Sequence, residues 1–321
     1  MVKGRVAATI LVSALLVSLA ACGTEDTADE PPKAEGKPTV CLVMKSLANE
    51  FFQDMKKGAN AHVKKRGDVK LDVSGIQNET DVDGQVALID KCITRQVQAI
   101  VIAPADSKAL VQPLKRAARE GIEIVNIDVR LDQKALEEAN LQVPYVGPDN
   151  ELGAKKSGTV LAKELDPGSK VVLLTGNPGA DNAKQREEGF RAAAEEGKLD
   201  LVSVKTAHWE TDEANTVFGN MLTADRDIEG VLASNDSMAL GALKVIEERK
   251  PSIKVASFDN IPAIRSYIEK GQVVSTLDQY GSTQASDGID YAMKMIDGEK
   301  VTGWQKTDIK LVTKSNVDES D

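Results

Sequence analysis

From Thr39 onward, short runs rich in Val and Ile alternate with longer stretches whose apolar residues recur three and four apart. "TVCLVM", "VKLDVSG", "AIVIAP" and "IEIVNID" have the length and branched composition of buried strands. Between and after them, Phe52–Lys65, Val82–Arg95 and Leu110–Glu120 carry helical spacing. The plan repeats in "KVVLLTG", "LVSVKTA", "GVLASND", "KVASFDN" and "VVSTLDQ", with helices near Ala183–Glu196, Glu213–Ala224, Ser237–Arg249 and Pro262–Lys270. Alternation of this kind builds parallel sheets with helices on both faces. Two sets of about five strands predict an α/β chain of two doubly wound parallel-sheet lobes. "VIAPADSKAL" and "VLASNDSMAL" echo each other, although Asp and Ser gather at any strand-to-helix turn as caps.

The chain has 321 residues, enough for two domains of ordinary size, but its start is set aside from the fold. Lys3 and Arg5 precede an apolar run over Val6–Ala21, shorter than a membrane-spanning helix needs, and "LAAC" then ends at Cys22. "LAAC" matches a lipobox at all four positions, with small residues just before the cysteine, which predicts a lipoprotein signal peptide over 1–21 and a lipidated Cys22; an ordinary secretory signal is the alternative. Residues 22–37, "CGTEDTADEPPKAEGK", are polar, acidic and Pro/Gly-containing, and read as a flexible tether. The expected location is outside the cytoplasm, on the membrane surface by acyl chains at Cys22.

A net charge of −10 argues against a nucleic-acid partner. The pairs Lys56–Lys57 and Lys155–Lys156 read as solvated helix faces. Cys41 and Cys92 lack zinc or redox spacing. Export makes a disulfide between them chemically possible, and two buried free thiols is the other reading.

Ligands of open parallel sheets bind beyond the carboxyl ends of the strands. The residues there are Lys45, Asn49, Phe51 and Phe52, then Asp128, Arg186, Trp209, Asn235, Asp259 and Gln279. Nearly all are polar or aromatic. Catalysis is poorly served elsewhere: His62 and His208 are the only histidines, neither sits in a nucleophile or metal arrangement, and no G-x-S-x-G occurs. Asp128 and Asp259 as a glycosidase pair remain the enzymatic alternative, which turnover of a glycoside would reveal. "TGNPGADNAKQ" lacks the Gly-Lys-Ser/Thr ending of a nucleotide loop. "DVDG" at Asp81–Gly84 would place Cys92 where a calcium loop needs a bidentate acid, so it reads as a helix cap.

"SLANEFFQDMKKG", "NIDVRLD", "GADNAKQREEGF", "SNDSMALGAL" and "ASFDNIP" together resemble the type I periplasmic sugar-binding proteins of ABC importers, the ribose- and allose-binding branch in particular. The resemblance spans about residues 38–314. It implies two lobes, 38–148 plus 280–308 and 149–279 plus 309–321, joined by three hinge crossings at Tyr145–Asn150, Gln279–Gly281 and near Asp308. It also implies a sugar held between the lobes and closure on binding. By position, Asn49 and Phe52 match a contact and a ring of the first-strand loop, and Lys45 matches a lysine of allose-type members. Asp128, Arg186, Asn235, Asp259 and Gln279 match the polar contacts, and Trp209 takes the place of the second stacking aromatic.

Such a set suits a sugar: rings cover its C–H faces, and acids, cations and amides satisfy its hydroxyls from both sides. Phe51 then packs inward or supports its neighbour. Two departures lean towards a hexose or polyol over ribose: Val129 follows the aspartate, so that the arginine comes one later as Arg130, and Ala103 stands where ribose-type members have asparagine. The implied partners are a monosaccharide or polyol and the permease of an ABC transporter, with the protein a monomer and no cofactor. A sensor presenting its closed form to a membrane receptor is the second reading.

Overall fold

The computed structural model describes Met1 and residues 36–319. Cys22, the apolar leader and nearly all of the tether lie outside the described residues. Lys37–Asp321 is one compact unit. Its strands come first from the Val/Ile-rich runs: β1 (Thr39–Ser46), β2 (Lys70–Ile76), β3 (Ala99–Ile102), β4 (Glu123–Ile127) and the short β5 (Tyr145–Gly147). α1 (Glu50–Arg66), α2 (Val82–Thr94), α3 (Val111–Arg119) and α4 (Gln133–Ala139) connect them. α5 (Asn150–Glu164) then leads into β6 (Lys170–Thr175), α6 (Asp181–Glu196), β7 (Asp200–Thr206), α7 (Thr211–Ala224) and β8 (Gly230–Ala233). α8 (Asp236–Arg249), β9 (Lys254–Ala256), α9 (Pro262–Glu269) and β10 (Val273–Asp278) follow. Last come α10 (Gly281–Ile296), β11 (Trp304–Lys306) and β12 (Lys310–Val312).

The strands form two six-stranded sheets, ordered β2-β1-β3-β4-β5-β11 and β7-β6-β8-β9-β10-β12. The first is parallel throughout. The second is parallel except for β12, which runs antiparallel to β10. Numbered from its own start, each half has the same order over its first five strands. "VIAPADSKAL" and "VLASNDSMAL" occupy equivalent places, running from β3 to α3 and from β8 to α8. The chain passes between lobes three times: from β5 to α5, from β10 to α10 and from β11 to β12.

The central strands are buried along nearly their whole length, as continuous apolar runs covered on both faces should be. Asp81 caps α2 by accepting from the Gly84 N–H at 2.9 Å, so "DVDG" is indeed a helix start. Cys41 and Cys92 are joined in a disulfide with Cα atoms 6.3 Å apart, which ties β1 to α2. Among the described residues no helix is long and apolar enough to cross a membrane, and no cluster of His, Cys, Asp and Glu is placed to hold a metal.

Candidate functional site

The carboxyl ends of both sets of strands face each other across a cleft, and the lobes meet there. The Ser107 N–H donates to the Gly179 carbonyl at 3.0 Å, and the Asp181 N–H donates to Ser107 Oγ at 2.9 Å. Asn177 Nδ2 donates to the Ala105 carbonyl at 3.1 Å. The Glu79 N–H reaches Glu210 Oε1 at 2.9 Å, and the Ala263 N–H reaches Glu50 Oε2 at 3.2 Å. This is a closed arrangement of the two lobes.

Ten of the eleven residues singled out from the sequence line one cavity in this cleft. From β1 and the start of α1 come Lys45, Asn49, Phe51 and Phe52. Asn49 is the N-cap of α1, its Oδ1 accepting from the Phe51 N–H at 3.0 Å, and this cap fixes the direction in which both rings leave the helix. The rings meet edge to face, centroids 5.1 Å apart and 78° between planes. Phe51 also packs on the β10–α10 crossing, where a Cβ on Gly281 would lie 2.6 Å from its ring.

Trp209 enters from the other lobe, just beyond β7. Its φ of +72° and that of His208, +46°, turn the chain back towards the cleft. The indole lies directly on Gly176, where an added Cβ would come within 2.0 Å of the ring. No side chain fits beneath it. Two cations flank the indole: Lys45 Nζ lies 5.0 Å from a ring centroid, and Arg186 Cζ lies 5.5 Å away.

Arg186 projects from α6 and is fully buried. Its Nε donates to Asn150 Oδ1 at 2.8 Å, and its Nη1 donates to the Ser234 carbonyl at 2.9 Å and to Asp259 Oδ1 at 3.3 Å. Its guanidinium stacks 3.7 Å from the Phe258 ring centroid. Asp259, at φ +115°, also accepts from Gln279 Nε2 at 2.7 Å. Burial pushes its carboxyl well above the usual range, and the Arg186 guanidinium offsets part of that rise.

Asp128 follows β4 at φ +62°. Its carboxyl is raised by burial and drawn back by Lys45 and Arg186, and its oxygens have no hydrogen-bond partner among the described residues. Asp128, Trp209 and Asp259 thus all line the cavity with a positive φ, a backbone conformation that costs energy in a non-glycine residue.

Asn235 and Gln279 line the cavity but are already engaged with the protein. Asn235 caps α8, its Oδ1 accepting from the Met238 N–H at 2.9 Å, while its Nδ2 donates to the Trp209 carbonyl at 3.3 Å. Gln279 accepts from Gln284 Nε2 at 3.2 Å.

Arg130 is the exception. It does not line the cavity; its guanidinium lies over Tyr145 and Trp304, 5.3 and 5.1 Å from their ring centroids. The intervening Val129 is buried in the core, and the one-residue offset turns the arginine towards the crossing at β5.

Two residues were missed. Glu79, after β2, is buried and pairs with Lys45 at 2.8 Å, while Asn49 Nδ2 donates to its Oε1 at 3.3 Å. Burial raises its carboxyl, and Lys45 opposes the rise. "QNET" follows β2, one of two strands read from the sequence whose ends contribute none of the sequence-derived candidates. Asn182 lines the cavity from the first turn of α6. Its signal was its place one turn before Arg186 on the same helix face.

Residues 40–300 match the model of the periplasmic binding protein domain. The chain belongs to the periplasmic binding protein family. It is 42% identical over 284 residues to a D-ribose/D-allose-binding protein of Pseudomonas aeruginosa, covering 86% of this chain and 89% of that one. Among solved structures it is similar to an ABC transporter solute-binding protein from Burkholderia multivorans (TM-score 0.84, 43% identity, 87% of this chain and 100% of that one). It is also similar to a periplasmic solute-binding protein from Actinobacillus succinogenes crystallised with D-allose (TM-score 0.83, 34% identity, 88% and 100%). Members of this family bind and hand over a solute and carry out no reaction, and the two sheets here have the type I form of the fold.

Proposed function

We propose that this protein is the extracytoplasmic solute-binding lipoprotein of an ABC importer, that it captures one neutral monosaccharide between its lobes, and that it presents the closed form to the permease. The observation that carries this reading is the shared cavity of Phe52 and Trp209, two rings from opposite lobes, with Asp128, Asp259, Arg186 and Lys45 around it. Rings suit the C–H faces of a pyranose, and ionised groups make the stronger hydrogen bonds to its hydroxyls. A hexose or a polyol of similar size is favoured over ribose: Arg130 stands away from the cavity and Ala103 adds no polar group. D-allose in the Actinobacillus relative supports the same choice. The lipid would sit on Cys22 and hold the protein to the membrane outside the cytoplasm, the folded part acting as a monomer.

A thermal-shift screen over D-ribose, D-allose, D-arabinose and myo-inositol tests the site, since a ligand of the folded state raises the melting point by mass action. At least one hexose or polyol is expected to raise it more than D-ribose does. Asp259→Ala and Arg186→Ala are expected to abolish the shift while the unliganded proteins still melt cooperatively. A shift that survives both changes would show the pocket to be wrongly assigned. For the anchor, radiolabelled palmitate should be incorporated by the wild type and not by Cys22→Ala.

A further inference from the structure

Most polar atoms around the cavity are already committed to other protein groups. Asn49, Asn235 and Gln279 each use both ends of their amides within the protein. On the lobe that carries Arg186, two lining residues make no side-chain hydrogen bond among the described residues. Asn182 is 4% exposed, its Oδ1 is buried without a partner, and its Nδ2 makes no hydrogen bond among the described residues. Trp209 is 3% exposed, and its Nε1 is likewise buried without an acceptor. Both residues line the cavity. They flank Arg186, Asn182 one helical turn earlier on α6 and Trp209 with its ring 5.5 Å from the guanidinium.

A buried polar atom is normally satisfied, and two orphans on residues that line one cavity point to a ligand that satisfies them. Neither is needed for the fold: α6 has no side-chain cap, and Asn182 supplies none. An indole placed only to cover a sugar face could be a phenyl ring.

We propose that the Asn182 amide and the Trp209 indole N–H form a hydroxyl-reading subsite on the second lobe, which selects sugars carrying hydroxyls opposite it. This rests on the monosaccharide reading and deepens it. Trp209 then has two roles, its face against C–H groups and its edge donating to an oxygen. Asn182 offers an acceptor or a donor, so it can pair with a hydroxyl in either sense. A site built to hydrogen-bond a hydroxyl discriminates strongly against an analogue that lacks it, because its own polar groups are then left unpaired.

The test is calorimetric titration of the full chain and of Asn182→Ala and Trp209→Phe with D-allose, D-ribose and the monodeoxy series of D-allose. Each variant is expected to bind D-allose about tenfold more weakly than wild type. For at least one monodeoxy sugar, wild type and Asn182→Ala should bind within twofold of each other, which also shows that the variant is folded. If wild type binds D-allose and both variants match it within twofold, the subsite is overturned and the monosaccharide reading stands. If both variants weaken but no deoxy sugar removes the difference, the two residues shape the cavity without reading a hydroxyl, and the subsite is again overturned. If neither D-allose nor any other sugar of the panel binds wild type, the monosaccharide reading fails and the subsite fails with it.

Discussion

Asp236 begins α8 beneath the cavity and is fully buried. Its Oδ1 accepts from the hydroxyls of Ser257 and Thr276, and its Oδ2 accepts from the Ile261 N–H at 2.9 Å. Burial outweighs these bonds and raises the carboxyl to about 7. Because the folded state binds the proton more tightly than the unfolded chain, the group's contribution is complete below the ordinary carboxylate range. It is lost as pH rises to about 7, a difference of about 4 kcal/mol. Asp236→Asn keeps the shape and removes the titration, so urea unfolding should show it gaining on wild type from about pH 4 to about pH 7. At this scale the sequence was informative about position and less so about role. Strand ends pointed to Lys45, Asp128 and Asp259, but not to which amides the protein would use up itself. Asn235 turned out to serve as a cap, Asn182 was left with nothing to bond, and neither outcome follows from residue type alone.

At the level of elements, α5 and α6 pack through small residues, and this closeness shapes the site. A Cβ at Gly189 would lie 2.2 Å from the Glu151 carbonyl oxygen and 2.9 Å from the Lys155 nitrogen. Gly158 faces Ala193, and Gly197 faces Ala162, in the same way. Only at this distance does Arg186 on α6 reach Asn150 at the start of α5. Gly189→Ala should force the helices apart, lower stability by about 1–3 kcal/mol in urea unfolding, and weaken sugar binding through the displaced arginine. The same smallness hid α5 from the apolar spacing, which registered it only through Lys155–Lys156. Its buried face is Asn150, Gly153, Ala154, Ser157, Gly158 and Leu161. α10 went unread for a similar reason, since Gln284, Ala285 and Gly288 form part of its buried face. β11 and β12 are three residues each, too short for any alternation to register. The long central strands were legible because burial on both faces leaves an unbroken apolar run.

For the molecule as a whole, the contacts across the cleft form only when the lobes meet, so they belong to the closed state alone. A ligand touching both lobes shifts the population towards that state by its extra contacts there. Ser107→Ala removes the acceptor for the Asp181 N–H across the cleft without touching the cavity. One hydrogen bond is worth about 1 kcal/mol, so sugar affinity should fall about fivefold. The loss should appear in the dissociation rate by stopped-flow fluorescence, with the unliganded melting point within a degree or two of wild type.

Neither sheet is built from one continuous stretch of chain: β11 and β12, with α10 just before them, arrive only in the last part of the polypeptide. A ribosome has therefore made most of this protein before either half can acquire its outermost strand. The first-made half must also wait for α10, which lies against β3 and β4. A premature stop near residue 280 would leave both halves unfinished, each without its outermost strand.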